Sequence, residues 1–499
     1  MHKSAGKRNP NMNSVIISTV SCKEKLYGVT SNEFAAIAPN IPMAVLASHL
    51  EKNDIPVHMI DADADGYDNT SLIEYILKEK PIYVCLIASG ANPSASTMTM
   101  VGIIDFCNRF YEHPEAREIT TVIWGGHPSV LPERTLRETK ADFVIKGEGY
   151  ETLTGLYEHY RGVKSLSDIK GLCYFKDGKY TEHEAAKLVD LKDFPTVNWD
   201  SVLPSKYRAH NWHCFGDIEN RSPYAILWTS FGCPYPCNFC SINNVFLKRT
   251  MRFRSIDNVI AEIDKLVNEH GVKNIKILDE LFILKHPRLD EFCDKLGKRN
   301  YALNMWAFAR IDTVSPRILE RLKKVGLNWI AYGIETVDPK VLHSTTKRFT
   351  YETLVKVLEW TRDAGIYICA DVIFGLWDDN YETLNATRNF LYQENFEWIN
   401  VYPGYAYPGT PLYDEYINEK RIEEPKSWEG YSLYGYNGTA LPTKYLTSAE
   451  VLRYRDDVFS KYYLRPAFLK DMEVKFGLQT REHIERMAKT KLSRSILDE

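Results

Sequence analysis

The chain has 499 residues, 44% of them apolar and 26% charged, with a net charge of −4. That length suits two to four domains, and a near-balanced charge without a long basic block argues against a nucleic-acid surface as the main business. No run approaches the roughly 20 apolar residues that span a bilayer. Residues 1–13 read as a polar, disordered tail without the apolar segment of a secretory signal. Ten cysteines without framework spacing fit a reducing cytoplasm.

From 14 to 165, short apolar runs alternate with amphipathic stretches, the pattern of a doubly wound, Rossmann-like α/β domain. Strands are expected at 14–20, 56–60, 82–87, 120–124 and 143–145, with helices at 43–52, 71–78, 97–111 and 133–139. Glycine or small-residue loops follow three of these strands: 88–92, 125–128 and 147–149. Ligands of open parallel sheets bind at such strand ends. Residues 166–222 change character and read as a linker holding a short extended pair near 171–180. A second α/β series follows over 223–415, with strands expected at 226–230, 275–278, 305–309, 329–333, 368–374 and 398–402. Six βα units indicate a partial (β/α)6 barrel whose chemistry sits at the strand C-terminal ends. Residues 416–499 form a polar helical cap. Its aromatics, Trp428, Tyr431, Tyr434, Tyr436, Tyr462 and Tyr463, are expected to pack that cap rather than line a cavity.

The most informative motif is FGCPYPCNFC at 231–240, which sets Cys233, Cys237 and Cys240 in a Cys-x3-Cys-x2-Cys array just after the first barrel strand. Three thiolates so spaced hold three irons of a [4Fe–4S] cluster and leave the fourth open, whereas closed electron-transfer clusters use four cysteines. The rival is zinc with His213 or Cys214 as fourth ligand, but structural zinc prefers two separated ligand pairs, and no second pair is present.

Array, strand context and barrel together resemble the radical S-adenosylmethionine (SAM) enzymes. The resemblance implies reductive cleavage of SAM to a 5′-deoxyadenosyl radical, oxygen sensitivity and an outside electron donor of flavodoxin or ferredoxin type. It also implies SAM contacts. Asp279 or Glu280, in LDELF where the family often has Gly-Gly-Glu, would meet the ammonium, and Arg310 the carboxylate. Glu335 would meet the ribose, and Gly375 the adenine. The 407–411 loop resembles the one after the sixth strand. Lys248, Arg249, Arg252 and Arg254 either bind an anion or form a solvated face, and the solvated face is the expectation.

The first 165 residues resemble the cobalamin-binding domain found upstream in many radical SAM proteins, through SGANPSASTMTM at 89–100, GGHP at 125–128 and GEGYET at 147–152. The resemblance implies that Ser89, Gly90, Ser94, Gly125, Gly126, Gly147, Glu148 and Gly149 hold cobalamin. No Gly-x-Gly-x-x-Gly follows the first strand, which argues against a dinucleotide site. Nor does a histidine occur at 21–43, where cobalamin domains carry Asp-x-His-x-x-Gly. His58 and His127 are candidates only by proximity, so cobalamin without a histidine lower ligand is expected.

The leading expectation is a cobalamin-dependent methyltransferase acting on an unactivated carbon of a small molecule. The alternative is oxidative ring closure, as in the anaerobic magnesium-protoporphyrin cyclase branch. A non-catalytic cobalamin sensor is further off, because it does not explain the intact cysteine triad. Methylthiotransferases carry three further cluster cysteines, and Cys22, Cys85, Cys107, Cys173 and Cys214 are too scattered for that.

Overall fold

In the computed structural model, the described residues are 14–23, 25–26, 34–90, 95–192, 194–284 and 286–498; the expected tail at 1–13 and Ser94 lie outside them. The N-terminal sheet has strands β1 (Val15–Ser18), β2 (Val57–Ile60), β3 (Tyr83–Ala88), β4 (Thr120–Gly125) and β5 (Phe143–Ile145), parallel in the order β2-β1-β3-β4-β5. Strands β3 and β4 are buried at every position, as strands covered by helices on both faces must be. The order reverses between β2-β1 and β3, so the switch point lies at the C-terminal ends of β1 and β3. There the Asn40 side chain donates to the Ser89 carbonyl at 2.7 Å.

The expected linker is partly sheet. Strands β6 (Leu172–Lys176) and β7 (Lys179–Glu182) form an antiparallel hairpin that extends the N-terminal sheet beyond β5. The chain then crosses to the second domain and inserts Trp212 at the base of the barrel. Its ring lies 5.0 Å from that of Trp306, 5.2 Å from Trp329 and 6.3 Å from Trp398.

The barrel comprises β8 (Tyr224–Leu227), β11 (Asn274–Ile277), β12 (Asn304–Ala309), β13 (Leu327–Glu335), β14 (Tyr367–Phe374) and β15 (Trp398–Pro403), all parallel and in sequence order. The first expected strand is in fact two. It breaks after Leu227, and β9 (Ser230–Phe231) pairs antiparallel with β10 (Arg252–Phe253). Lys276 of β11, with Leu278 and Glu280 just past its end, faces the lumen, and period-2 alternation sends Cys369, Asp371 and Ile373 there from β14.

The cap helices Ser448–Tyr463, Pro466–Phe476 and Leu478–Lys489 close the far side. The hydroxyls of Tyr462 and Tyr463 donate to the carbonyls of Phe396 (2.6 Å) and Ile399 (2.9 Å), so these two tyrosines are packing residues. Tyr431 and Tyr434 instead line the central cavity, and Trp428 reaches back to the N-terminal domain, against the rings' expected role as simple cap packing. No helix among the described residues is long and apolar enough to cross a membrane.

Candidate functional site: a cavity between the two sheets

The C-terminal strand ends of both domains face one cavity of about 960 Å³. The N-terminal domain contributes Thr19, Ser89, Gly90 and Thr99, while the barrel contributes Cys233, Cys237, Cys240, Glu280, Arg310 and Glu335.

Three contacts shape the cysteine loop. Gly232 takes φ +86°, and a Cβ there would sit 2.5 Å from the Thr250 carbonyl oxygen, so the chain turns into the loop under the β9–β10 ribbon only with glycine. The Asn243 carboxamide bridges Cys233, accepting from its N–H (3.2 Å) and donating to its carbonyl (2.9 Å). Asn238 donates to the Ser344 carbonyl (3.0 Å), tying the loop to the segment after β13. Cys233 and Cys237 are half-buried and Cys240 is exposed; all ten cysteines are free. Burial pushes the Cys233 thiol up to about 11, with Cys237 and Glu280 nearby adding to the shift. Three thiols gathered this way favour thiolate ligation to a cation over isolated ionisation, which fits a cluster. His213 and Cys214 lie at the opposite end of the strands: His213 Nε2 donates to the carbonyl of Asn304, the first residue of β12 (2.9 Å). They cannot complete a zinc site with this loop.

The two adjacent acids have different roles in the geometry. Asp279 is fully buried with both oxygens engaged, accepting from the Thr229 N–H (2.6 Å) and from the hydroxyls of Thr229 and Ser230 (2.5 Å each). Glu280 accepts the Gly232 N–H through Oε2 (3.0 Å), while its Oε1 is buried without a partner among the described residues. Burial raises the Glu280 carboxyl to about 8, with Asp279 adding to the shift. A buried orphan acceptor on the wall of a cavity is built to receive a donor. Arg310 stacks on Tyr235 at 3.8 Å and pairs with Asp312 through two bonds of 2.9 Å, and its Nη1 lies 3.6 Å from the Cys237 sulfur. Glu335, at φ +65°, is held by Lys347, whose ammonium also reaches the Gly333 carbonyl (2.7 Å). Gly375 is not on the cavity wall. Its N–H donates to Asp379 (3.1 Å), and a Cβ there would meet Val451 at 2.7 Å, so this position fits cap packing instead.

The expected cobalamin residues separate into two groups. Ser89 and Gly90 line the cavity. Gly125, Gly126, Gly147, Glu148 and Gly149 do not; they belong to the joint between the domains or to its support. A Cβ on Gly126 would approach Asn244 at 3.6 Å, and one on Gly147 would approach Leu247 at 3.7 Å. Gly125 and Gly149 are pressed against the Ala88 carbonyl and the Trp124 ring. Glu148 takes both Arg252 Nη atoms (2.5 and 3.3 Å) and the Val189 N–H (2.7 Å). Arg252 is thus an interdomain anchor, and Arg254 is buried against Glu262 at 2.5 Å. Only Lys248 and Arg249 of the basic run form the expected exposed face. His127 sits against Trp428 (4.5 Å) and His58 bonds Tyr75 (3.0 Å). Among the described residues, the N-terminal domain puts no histidine on the cavity wall.

Sequence reading missed Lys276, Asp371, Asn400 and Lys347, all of which line this cavity. Burial lowers Lys276 to about 7, and burial raises Asp371 to about 7. The available signal was a lysine inside NIKIL and an aspartate inside CADVIF, polar breaks in runs otherwise fit for full burial.

Comparison with known proteins agrees with this arrangement. Residues 28–157 match the model of the B12 binding domain and residues 229–391 that of the Radical SAM superfamily, together more than half of the chain. An uncharacterized methyltransferase of Pyrococcus horikoshii is 25% identical over 458 residues, 91% of this chain and 93% of the relative. The anaerobic magnesium-protoporphyrin IX monomethyl ester cyclase of Cereibacter sphaeroides is 25% identical over 444 residues, 87% of this chain and 68% of the relative. The fold is that of the cobalamin-dependent radical enzyme OxsB with aqua-cobalamin and SAM bound (TM-score 0.70, 17% identity, 96% of this chain and 72% of that one). With a B12-binding domain and a radical SAM domain facing one cavity, the chain belongs to the B12-dependent radical SAM enzymes, whose cofactors are a [4Fe–4S] cluster, SAM and cobalamin.

Proposed function

We propose that the chain is a methyltransferase that acts on an unactivated carbon of a small molecule. The observation that carries this reading is the single cavity walled by Ser89 and Gly90 on one side and by the three cysteines on the other. When bound, the cluster with SAM supplies one-electron hydrogen abstraction, and cobalamin supplies the methyl group. The chain orients them. Cys233, Cys237 and Cys240 hold the cluster. Glu280 Oε1 accepts from the SAM ammonium, because it lines the cavity without a partner among the described residues, whereas Asp279 is off the cavity wall with both oxygens engaged. Asp279 fixes the turn from β8 to the cysteine loop instead. Arg310, beside Cys237, meets the SAM carboxylate. Glu335, steadied by Lys347, meets the ribose. The electron comes from a flavodoxin- or ferredoxin-type protein, for which Pro234 and Pro236 of the cluster loop offer an exposed face.

Similarity to a methyltransferase over 91% of this chain supports methyl transfer. Ring closure remains the second reading, carried by the 444-residue similarity to that cyclase. The test needs no substrate. The anaerobically reconstituted protein is given SAM and reduced cobalamin. S-adenosylhomocysteine formed in step with methylcobalamin supports the methyltransferase. None formed, with SAM cleavage to 5′-deoxyadenosine intact, leaves the cyclase.

A further inference from the structure

Below Glu280 and Arg310 the lumen holds a second set of polar groups that the proposed cofactor contacts do not use. Asp371, on the inner face of β14, is 8% exposed. Its Oδ1 accepts from Asn400 Nδ2 (2.8 Å), and Asn400 is itself fixed by the Trp398 indole N–H (3.0 Å). No hydrogen bond to Asp371 Oδ2 is formed among the described residues, and the residue lines the cavity. The walls here are aromatic: Trp306, Phe308, Trp398 and Tyr402. Lys276 enters from β11 with its ammonium 4.8 Å from the Trp306 ring and 5.5 Å from the Phe308 ring.

Charge and shape narrow what fits. Lys347 pairs with Glu335, and Asp371 is the carboxylate whose field favours the Lys276 ammonium against its burial. A cationic or anionic head group would therefore bring an added charge between aromatic walls, at a desolvation cost. A neutral group brings none. Flat walls favour a flat group. An oriented acceptor at Asp371 with a donor at Lys276 favours a group that both donates and accepts.

We propose that this part of the lumen is the substrate's head-group subsite, and that it takes a neutral planar amide or lactam whose N–H donates to Asp371 and whose carbonyl accepts from Lys276. The assignment rests on the cavity being the substrate site of the reaction proposed above. It is tested by binding, so it stands or falls separately from the S-adenosylhomocysteine result.

The experiment is ligand-observed NMR on the anaerobic holoprotein with three probes: 2-pyrrolidinone, n-propylammonium and propionate. The lactam is expected to bind best. Asp371→Asn is expected to weaken it about tenfold, the scale of a buried polar group left without its partner. Asp378→Asn, which removes only the surface pair with Lys340 (2.9 Å), should leave it unchanged. Should the Asp371 variant fail to load its cluster, Lys276→Met provides the second arm. Removing the Lys276 ammonium is expected to shift the preference from lactam to propylammonium. Tighter binding of either ion to the native protein, undiminished lactam binding by Asp371→Asn, or no shift in Lys276→Met overturns the proposal.

Discussion

The joint between the domains gives a sharp quantitative test. Glu148 and Arg252 form a bidentate pair with side-chain exposures of 7% and 18%. Glu148→Gln keeps the shape and the contact to the Val189 N–H but leaves the guanidinium without a counter-charge. Breaking a fully buried pair costs about 3–5 kcal/mol, and the residual exposure of Arg252 brings the expected loss to about 2–3 kcal/mol. Arg252→Met strands the carboxylate and should cost a similar amount. The double variant removes both charges, so its loss should fall short of the sum of the singles by about 2 kcal/mol. The assay is a double-mutant cycle by urea denaturation, followed by tryptophan fluorescence. Trp124 lies at the joint, its indole N–H shared between the carbonyls of Gly147 (3.0 Å) and Glu148 (3.1 Å). Single losses under about 0.5 kcal/mol, or strictly additive ones, would refute the claim that this pair locks the domains together.

Other perturbations have equally definite outcomes. Cys237→Ala should abolish iron loading and SAM cleavage yet leave cobalamin binding intact, read by metal analysis and visible spectra. Gly232→Ala forces a Cβ onto the Thr250 carbonyl at positive φ, a strain of about 1–3 kcal/mol, and should lower cluster occupancy after reconstitution with little effect on cobalamin binding. Acid should destabilise the fold through His127, His210 and His213, each held near 3 by burial. Their unfolded value is about 6.5, so the stability is present above that pH and is lost as pH falls towards 3. At pH 5 each costs up to about 2 kcal/mol relative to neutral pH. His213→Gln should make the decline in denaturation midpoint between pH 7 and 5 measurably shallower; an unchanged decline would contradict the assignment.

Strands were the most legible part of the chain, because strands buried on both faces read as unbroken apolar runs; β5 falls at 143–145 as expected and β14 begins one residue early. The split of β8 from β9 was hidden, since its cause is a long-range one: Asp279 capturing Thr229 fifty residues away. The cysteine loop was visible as a motif, but the difference between Asp279 and Glu280 was not, because it depends on which carboxylate the local hydroxyls engage. Glycines after strands signal a close backbone approach without saying what approaches. At 125–126 and 147–149 the close neighbours include protein, part of it the second domain. The hairpin at 172–182 looked like linker because its second strand is short and polar at the sheet's edge.

The joint also sets what can be exchanged between relatives. The two family models suggest modules separable at the connecting segment. Yet Asn244, four residues past Cys240, faces Gly126 on one side and donates to the Pro408 carbonyl (2.8 Å) on the other, while Arg252 reaches into the first domain for Glu148. A chimera grafted at 166–222 would inherit a cluster loop fitted to a different neighbour. The transplantable unit is the N-terminal domain together with residues 244–252, a segment that the primary sequence assigns to the other half of the molecule.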